Sequence, residues 1–432
     1  MIGCTAIIGQ ILLKRALFVV FQGNEISLGI VLAAWLIWTA AGVALAGRVV
    51  TRILQPKVLL AALQAAAGVA LPLTILLVRV SRNLWGILPG EMVGPDSVLV
   101  ISALTLGTFC LISGGLFAVA SRVLTVQVGF TAADATSSVY LWEALGSGAA
   151  GVVCSLLLMG QLSTLEIAFL VFCLNLVAGV LLLTEGNRGG ILALCLTTVL
   201  LVLPLSGIVR QWELSSIEAL WTGFRVTESR DSKYSNLVVT EAEGKRTVFA
   251  NGVAVLTVPD RQAAEESVHY ALLQHSGPRQ VLLIGGGMNG GLVEALKHPT
   301  VERVVYLELD AVMLELARRH LGDSWGESLE DDERVEILAL DGRLYVKRSD
   351  QAFDVIIVNV PDPVTAQLNR YYTTEFFREA SRRLLPGGLI SFAVTGAENY
   401  IGEEQATFLR CINKTLRTVF SEVSILPGLS LI

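Results

Sequence analysis

Long stretches of this chain hold no charged side chain, which restricts what they can fold into more than any motif does. Residues 26–46, 58–78, 98–120 and 189–209 are apolar and free of Asp, Glu, Lys and Arg. Each is about 20 residues long, the length a helix needs to cross the hydrocarbon core of a bilayer. Residues 167–184 are slightly shorter and also charge-free, 139–162 qualify except for Glu143, and 2–21 are broken by Lys14 and Arg15. Six or seven spans are expected. Residues 2–21 do not read as a signal peptide, because their charges lie in the middle and no small-residue cleavage site follows.

The charges divide the chain in two. Met1 to Val209 holds 9 Lys and Arg against 7 Asp and Glu, whereas Arg210 onward holds 23 against 31. The second part is ordinary in charge density and acidic. Nucleic acid is therefore a poor partner, since phosphate binding needs Lys and Arg density. A polycationic small molecule suits an acidic surface, although a plain solvated surface has the same balance. Cys4, Cys110, Cys154, Cys173 and Cys195 lie in apolar segments and read as small buried hydrophobes. Cys411 is alone, no C-x-x-C occurs, and the four His show no ligand spacing. Neither a disulfide framework nor a metal site is expected.

Within the apolar part, Glu143 precedes a run of small residues, Gly146, Ser147, Gly148 and Gly151, of the kind that lets helices approach closely. An acid there is either functional or hydrated at the headgroup level. Residues 23–25 read as a tight loop.

The expected architecture is a multi-pass helical membrane domain (1–209), a linker (210–223), a small β subdomain (224–258) and a Rossmann-like α/β domain (259–432). The β subdomain is read from strand-like runs at 236–241, 246–250 and 253–257, the last two separated by Asn251-Gly252, a strong hairpin signal. Beyond residue 280, strands are expected at 281–284, 303–309, 335–340, 353–360, 389–394 and 422–426. Helices are expected at 292–297, 311–320, 374–385 and 404–419, the third stopping at Pro386-Gly387-Gly388. Such alternation argues for a parallel, doubly wound sheet.

Its strand ends carry the chemistry. Gly285, Gly287 and Gly290 fit G-x-G-x-x-G directly after the first strand, where backbone must turn tightly and let a ligand approach. Glu308 lies 23 positions after Gly285 at the end of the second strand, placed to accept hydrogen bonds from both ribose hydroxyls. Asp341-Gly342 follows the third strand. Asp341 can accept from an adenine amino group or simply cap the next helix. Asn359 and Asp362 follow the fourth strand on the same side.

Residues 232 to about 392 resemble the spermidine synthase (polyamine aminopropyltransferase) family, through SKYSNLVV, ANGV, VLLIGGGMNGG, EALKHP, VVYLELD, LDGR, FDVIIVNVPDP and YTTEFF…LLPGG. The segment around residues 361–377 and the apolar first part resemble membrane-fused bacterial members. The resemblance implies a methyltransferase-like fold that takes decarboxylated S-adenosylmethionine as co-substrate and a small amine or polyamine as acceptor, with no metal. It places Gly285, Gly287 and Gly290 at the nucleoside, Glu308 at the ribose, and Asp341 with Gly342 at the adenine. Asp362 is the second acid of the family's D-x-x-D-P, and Asn359 stands where the first acid holds and deprotonates the attacking amine. Met288 replaces the usual acid in the glycine loop and Ser235 the usual Gln after S-x-Y, both substrate-side positions. An amide is no general base at neutral pH.

Three functions stay open. One is a membrane-bound transferase aminopropylating an amine. The second is a catalytically weak nucleoside or polyamine sensor coupled to a membrane transport module. The third is an S-adenosylmethionine-dependent methyltransferase. Other expected partners are the lipid bilayer and, as an alternative to a monomer, a second copy in a homodimer. Methyltransferase-like sheets usually close with an antiparallel last strand, and residues 426–432 leave little room for one, so a C-terminally truncated chain is a further expectation.

The expected location is the inner membrane, with residues 210–432 in the cytosol, where sulfonium nucleosides are made. Arg48, Arg52 and Lys57 belong inside as well. Five apolar segments separate that loop from the soluble domain, and five crossings would put the domain outside. Segment 139–162, with its acid and glycines, is the one expected not to cross fully.

Overall fold

The computed structural model describes residues 1–91, 93–184, 207–322, 325, 329, 331–397, 400–426 and 430–431. Two compact units result, Met1–Asn236 with Ala250–Val253, and Leu237–Phe249 with Ala254–Ile432.

The first unit is a bundle of α1 (Ile2–Phe21), α2 (Glu25–Val50), α3 (Pro56–Leu84), α4 (Pro95–Gln127), α5 (Ala132–Val153) and α6 (Thr164–Leu183). A π-helical turn at Cys154–Leu158 prolongs α5. With that turn, all six are long and apolar enough to cross a membrane. The expected loop at 23–25 is a left-handed turn through Gln22 and Gly23, closed by Asn24, whose side chain accepts from Ser27 N at 2.7 Å and caps α2. Ser163 and Glu166 form a reciprocal capping box at the start of α6.

Small residues set the helix spacing. A Cβ on Gly42 would overlap the Leu111 carbonyl, and one on Gly114 would overlap the Thr39 carbonyl, so α2 and α4 meet backbone to backbone. Likewise α1 and α5 meet at Gly3, where a Cβ would overlap the Glu143 carbonyl. Ser147 Oγ donates to Gly3 O at 3.1 Å, and the Cys4 thiol donates to Gly146 O at 3.3 Å. The small residues after Glu143 thus form a close crossing, as expected. Cys110, Cys154 and Cys173 are buried thiols, Cys4 is half-buried and Cys411 exposed; Cys195 lies outside the described residues.

Residues 139–158 of the segment expected not to cross fully lie in a continuous helical run of 27 residues from Ala132 to Leu158, and 159–162 lie beyond it. Within that run Gly146 packs against Cys4 and Gly151 against Ile7. Other expectations for this unit are corrected. Residues 210–223, expected as a linker, lie mostly in helix α7 (Ile208–Leu220). Its buried residues Val209, Glu213, Ser216 and Leu220 recur on one helical face. A charged residue on that face hid the period. Arg79 Nη2 pairs with Glu213 Oε1 at 2.5 Å, and Arg79 Nη1 donates to Ser216 Oγ at 2.5 Å. Glu213 Oε2 also accepts from Leu165 N at 2.9 Å, the start of α6. Three helices are tied at one carboxylate, and the first unit reaches Asn236 rather than ending at residue 209. Segment 189–209, read as a span, lies mainly outside the described residues.

The β subdomain is a four-stranded sheet in the order β1 (Arg225–Asp231), β2 (Asn236–Ala242), β3 (Lys245–Ala250), β4 (Val253–Val258). Both two-residue turns, Glu243-Gly244 and Asn251-Gly252, have positive φ at both positions, the type I′ geometry that matches strand twist. Strand β1 was not expected, because RVTESRD lacks the apolar alternation that marks a half-buried strand.

In the second unit, helix α8 (Arg261–Gln274) leads into a parallel sheet in the order β7-β6-β5-β8-β9. The strands are β5 (Gln280–Ile284), β6 (Arg303–Leu307), β7 (Val335–Leu338), β8 (Phe353–Val358) and β9 (Leu384–Phe392). Apolar runs such as VLLI and VIIV suit strands covered on both faces. Helices α9 (Gly291–Leu296), α10 (Ala311–His320), α11 (Gly342–Arg348), α12 (Ala366–Asn369), α13 (Thr374–Ser381) and α14 (Glu403–Arg417) follow in turn. Strand order reverses between β5 and β8, the switch point where open α/β sheets bind ligands beyond their carboxyl ends.

Three readings here are corrected. Helix α13 stops at Ser381, and Pro386-Gly387-Gly388 lies inside β9. Phe353 pairs with Leu384 and Val355 with Leu389, so the intervening residues bulge out, with Gly387 at φ +82°. Residues 422–426 are not a strand. They cover α14 and β9, lining a cavity of about 590 Å³ with Leu416 and Phe420. The last described strand, β11 (Ser430–Leu431), pairs antiparallel with β10 (Val394–Thr395).

Candidate nucleoside and amine site

Four loops converge at the carboxyl ends of β5 to β8. The loop after β5 turns through Gly285 at φ +69° and Gly286 at φ +67°, which side-chain-bearing residues rarely adopt. Gly285 N donates to Leu307 O at 2.9 Å, and Asn359 N donates to Ile284 O at 2.8 Å, so both neighbouring strands hold this turn. A Cβ at Gly286 would overlap the Asn359 side chain, and one at Gly287 would lie 2.8 Å from the Tyr306 ring. Gly290, at φ +110°, opens α9 against Ala264. Without side chains, this turn lets Asn359 and Tyr306 pack directly against its backbone.

Glu308 follows β6 directly. Its Oε1 accepts from Asp310 N at 3.1 Å and its Oε2 from the Tyr306 hydroxyl at 3.3 Å. Burial raises its carboxyl above the ordinary range, more than these bonds lower it. Tyr306 is fully buried, and burial beside Glu308 pushes its phenol well up. It is therefore a neutral donor that fixes the Glu308 carboxylate. Sequence reading passed over Tyr306, although Tyr306 and Glu308 two positions apart share one side of a strand.

Asp341 follows β7 after a short turn and does what the plainer reading expected. Its Oδ1 accepts from Leu344 N at 3.1 Å, capping α11. Its Oδ2 also pairs with Arg370 Nη1 at 2.6 Å, and that guanidinium lies over the Tyr371 ring. A Cβ on Gly342 would overlap Ile284, so α11 starts hard against β5. Arg370 was not anticipated; it follows an unremarkable short helix.

After β8, Asn359 lies against Gly286 and Asp362 Oδ1 accepts from Thr395 N at 3.0 Å. The Tyr372 hydroxyl donates to the Val360 and Pro361 carbonyls, at 3.3 and 3.2 Å. Burial, then Asp362 nearby, raises the Tyr372 phenol, which keeps it a donor. Met288 is buried at 3% exposure, so it packs rather than presenting a polar group. The structure thus brings Gly285, Gly287, Gly290, Glu308, Asp341, Gly342, Asn359 and Asp362 to one end of one sheet. Ser235 belongs to the other compact unit. Its backbone closes a turn in which Ser232 Oγ accepts from Ser235 N at 3.0 Å.

Residues 262–427 match the spermine/spermidine synthase domain. A polyamine aminopropyltransferase of Thermococcus onnurineus is 37% identical over 172 residues, 39% of this chain and 60% of its own. A polyamine aminopropyltransferase 2 of Pseudomonas aeruginosa is 34% identical over 202 residues, 46% of this chain and 56% of its own. This chain therefore spans about 60% or less of these curated relatives. A spermidine synthase solved with the transition-state analogue AdoDATO is 27% identical, with a TM-score of 0.42, covering 48% of this chain and 71% of that one.

Proposed function

We propose that the protein, whose residues 262–427 match the spermine/spermidine synthase domain, is a membrane-bound aminopropyltransferase that uses decarboxylated S-adenosylmethionine to alkylate a small amine. The observation that carries this is the convergence of the bare glycine turn, Glu308, Asp341 and Asp362 on one sheet end. Glu308 takes the ribose hydroxyls. Asp341 takes the adenine amino group, on displacing Arg370 from one oxygen. The acceptor nitrogen attacks the aminopropyl methylene next to sulfur, a C–N bond forms, the C–S bond breaks, and methylthioadenosine leaves. The nitrogen sheds one proton, and Asp362 is the acid left to hold the amine. Alignment supplies most of the rate, because sulfonium is already a good leaving group.

A second reading, a nucleoside sensor with little turnover, is favoured by the amide at Asn359 and by buried Met288. Titration calorimetry with decarboxylated S-adenosylmethionine, S-adenosylmethionine and methylthioadenosine separates the two. Preference for the aminopropyl tail, with methylthioadenosine released on adding putrescine, is expected for the enzyme. Equal binding of all three without turnover would establish the sensor. Asn359→Asp alone should restore little, because Met288 and Ser235 also differ. Combining it with Met288→Asp and Ser235→Gln should raise putrescine-dependent turnover. No gain in a folded, nucleoside-binding triple variant would point to a different acceptor class.

For location, we propose that the six apolar helices lie in the inner membrane with the second unit in the cytosol. Helices α3 to α6 and the apolar segment 189–209 follow the loop bearing Arg52, so a cytosolic second unit requires that one of these five, which we take to be segment 139–162, does not cross fully. Single cysteines on a Cys-free background should resist a membrane-impermeant thiol reagent at Gln55, Ser232 and Ser349 in intact cells. Labelling at Ser232 and Ser349 alone would place the second unit outside.

A further inference from the structure

The first unit holds a cavity of about 540 Å³ that the transfer chemistry does not use. It is lined from α1, α3, α7, β1 and the turn before α6. Its volume falls within the range of small-molecule sites. Apolar residues, among them Val19, Leu162, Ile217 and Trp221, cover part of the wall, and charged groups occupy the rest.

The charges are not equally available. Glu213 is held by Arg79 and by Leu165 N, and Glu166 accepts from Ser163 N at 2.8 Å. Asp231 accepts from Arg15 Nη2 at 3.0 Å and from Asn236 Nδ2 at 2.9 Å. These three acids are satisfied by the protein's own donors, and the fourth on the wall, Glu228, pairs with Arg230 Nε at 4.0 Å. The cations are less committed. Among the described residues Arg15 donates from Nη2 alone, to Asp231 and to Ser232 O at 3.1 Å. Arg210 is exposed on the cavity wall and has no hydrogen bond or ion pair among the described residues. The cavity therefore offers guanidinium donors and few open acceptors.

We propose that this cavity binds a small organic phosphate, either a free phosphate ester or the headgroup of an anionic phospholipid. Several tetrahedrally disposed oxygens can meet guanidinia from separate elements, here α1 and α7, whereas a planar carboxylate is satisfied by one arginine fork. The apolar wall receives the carbon skeleton. Exposed Trp212 and Leu214 on α7, the latter also lining the cavity, suit a lipid that continues past the rim.

The test uses the full chain in non-ionic detergent, with thermal unfolding read by tryptophan fluorescence. Glycerol 3-phosphate, phosphatidylglycerol in mixed micelles and glycerate are titrated separately. A saturable rise in Tm is expected with a phosphate-bearing ligand, and Arg210→Gln should raise half-saturation about tenfold or more. Arg210→Lys should lie between. Because Arg210 is exposed and has no ion pair among the described residues, Arg210→Gln should melt like the parent without ligand. Arg15→Gln is the second variant, with its fold checked by circular dichroism. Saturation at lower concentration by phosphatidylglycerol assigns a lipid, and the reverse assigns a soluble ester. No saturable rise, an equal rise with glycerate, or an unchanged response in both variants would overturn the proposal.

Discussion

Glu308→Gln should weaken methylthioadenosine binding by about ten- to a hundredfold, because a hydrogen bond to a charged partner is worth about 1.5–3 kcal/mol. The same change should alter how stability depends on pH. Burial raises the Glu308 carboxyl above its ordinary value. Between the ordinary and the raised value, the folded protein keeps a proton that the unfolded chain has lost. Folding stability therefore falls as pH rises through that window and levels off above it. A glutamine has no such proton, so its melting temperature should gain on the parent as pH rises. Calorimetric titration and melting curves between about pH 4 and 8 check both halves. An unchanged dissociation constant would sink the ribose assignment, and a pH-independent melting difference would sink the buried carboxylate.

Glu213→Ala should destabilise the first unit by about 3–5 kcal/mol, the cost of leaving a buried arginine without its partner. Arg79 and Glu213 side chains are 8% and 9% exposed, so solvent cannot replace the lost contact. The start of α6 loses an acceptor as well. Removing both charges with Arg79→Met and Glu213→Leu should recover most of that loss, since a well-packed apolar pair often equals a buried ion pair. Unfolding in detergent measures both. A cost below about 1 kcal/mol for Glu213→Ala would mean that the pair is hydrated.

What the sequence made legible followed from period and punctuation. Apolar runs marked α1 to α6, Asn251-Gly252 marked a hairpin, and glycine after a short apolar strand marked the carboxyl end of β5. What stayed hidden was tertiary. Helix α7 buries an acid, so its apolar face reads as interrupted until Arg79 from α3 is beside it. Pro386-Gly387-Gly388 looks like a helix stop, and only pairing with β8 shows it to be a bulge. Arg370 lies 29 positions from Asp341, and no local pattern joins them. The site's backbone and acids could thus be read from the chain, whereas the groups that orient them could not.

The glycine crossings constrain how the bundle can move. Where two backbones touch without intervening side chains, rolling either helix about its own axis drives a Cβ into its neighbour's carbonyl. At Gly42 and Gly114 this locks α2 to α4, and at Gly3 it locks α1 to α5. Each pair therefore travels as one lever. Relative movement of the two pairs then takes the form of shear where they meet. A disulfide within a pair should leave such motion intact, whereas one joining α4 to α5 should arrest it.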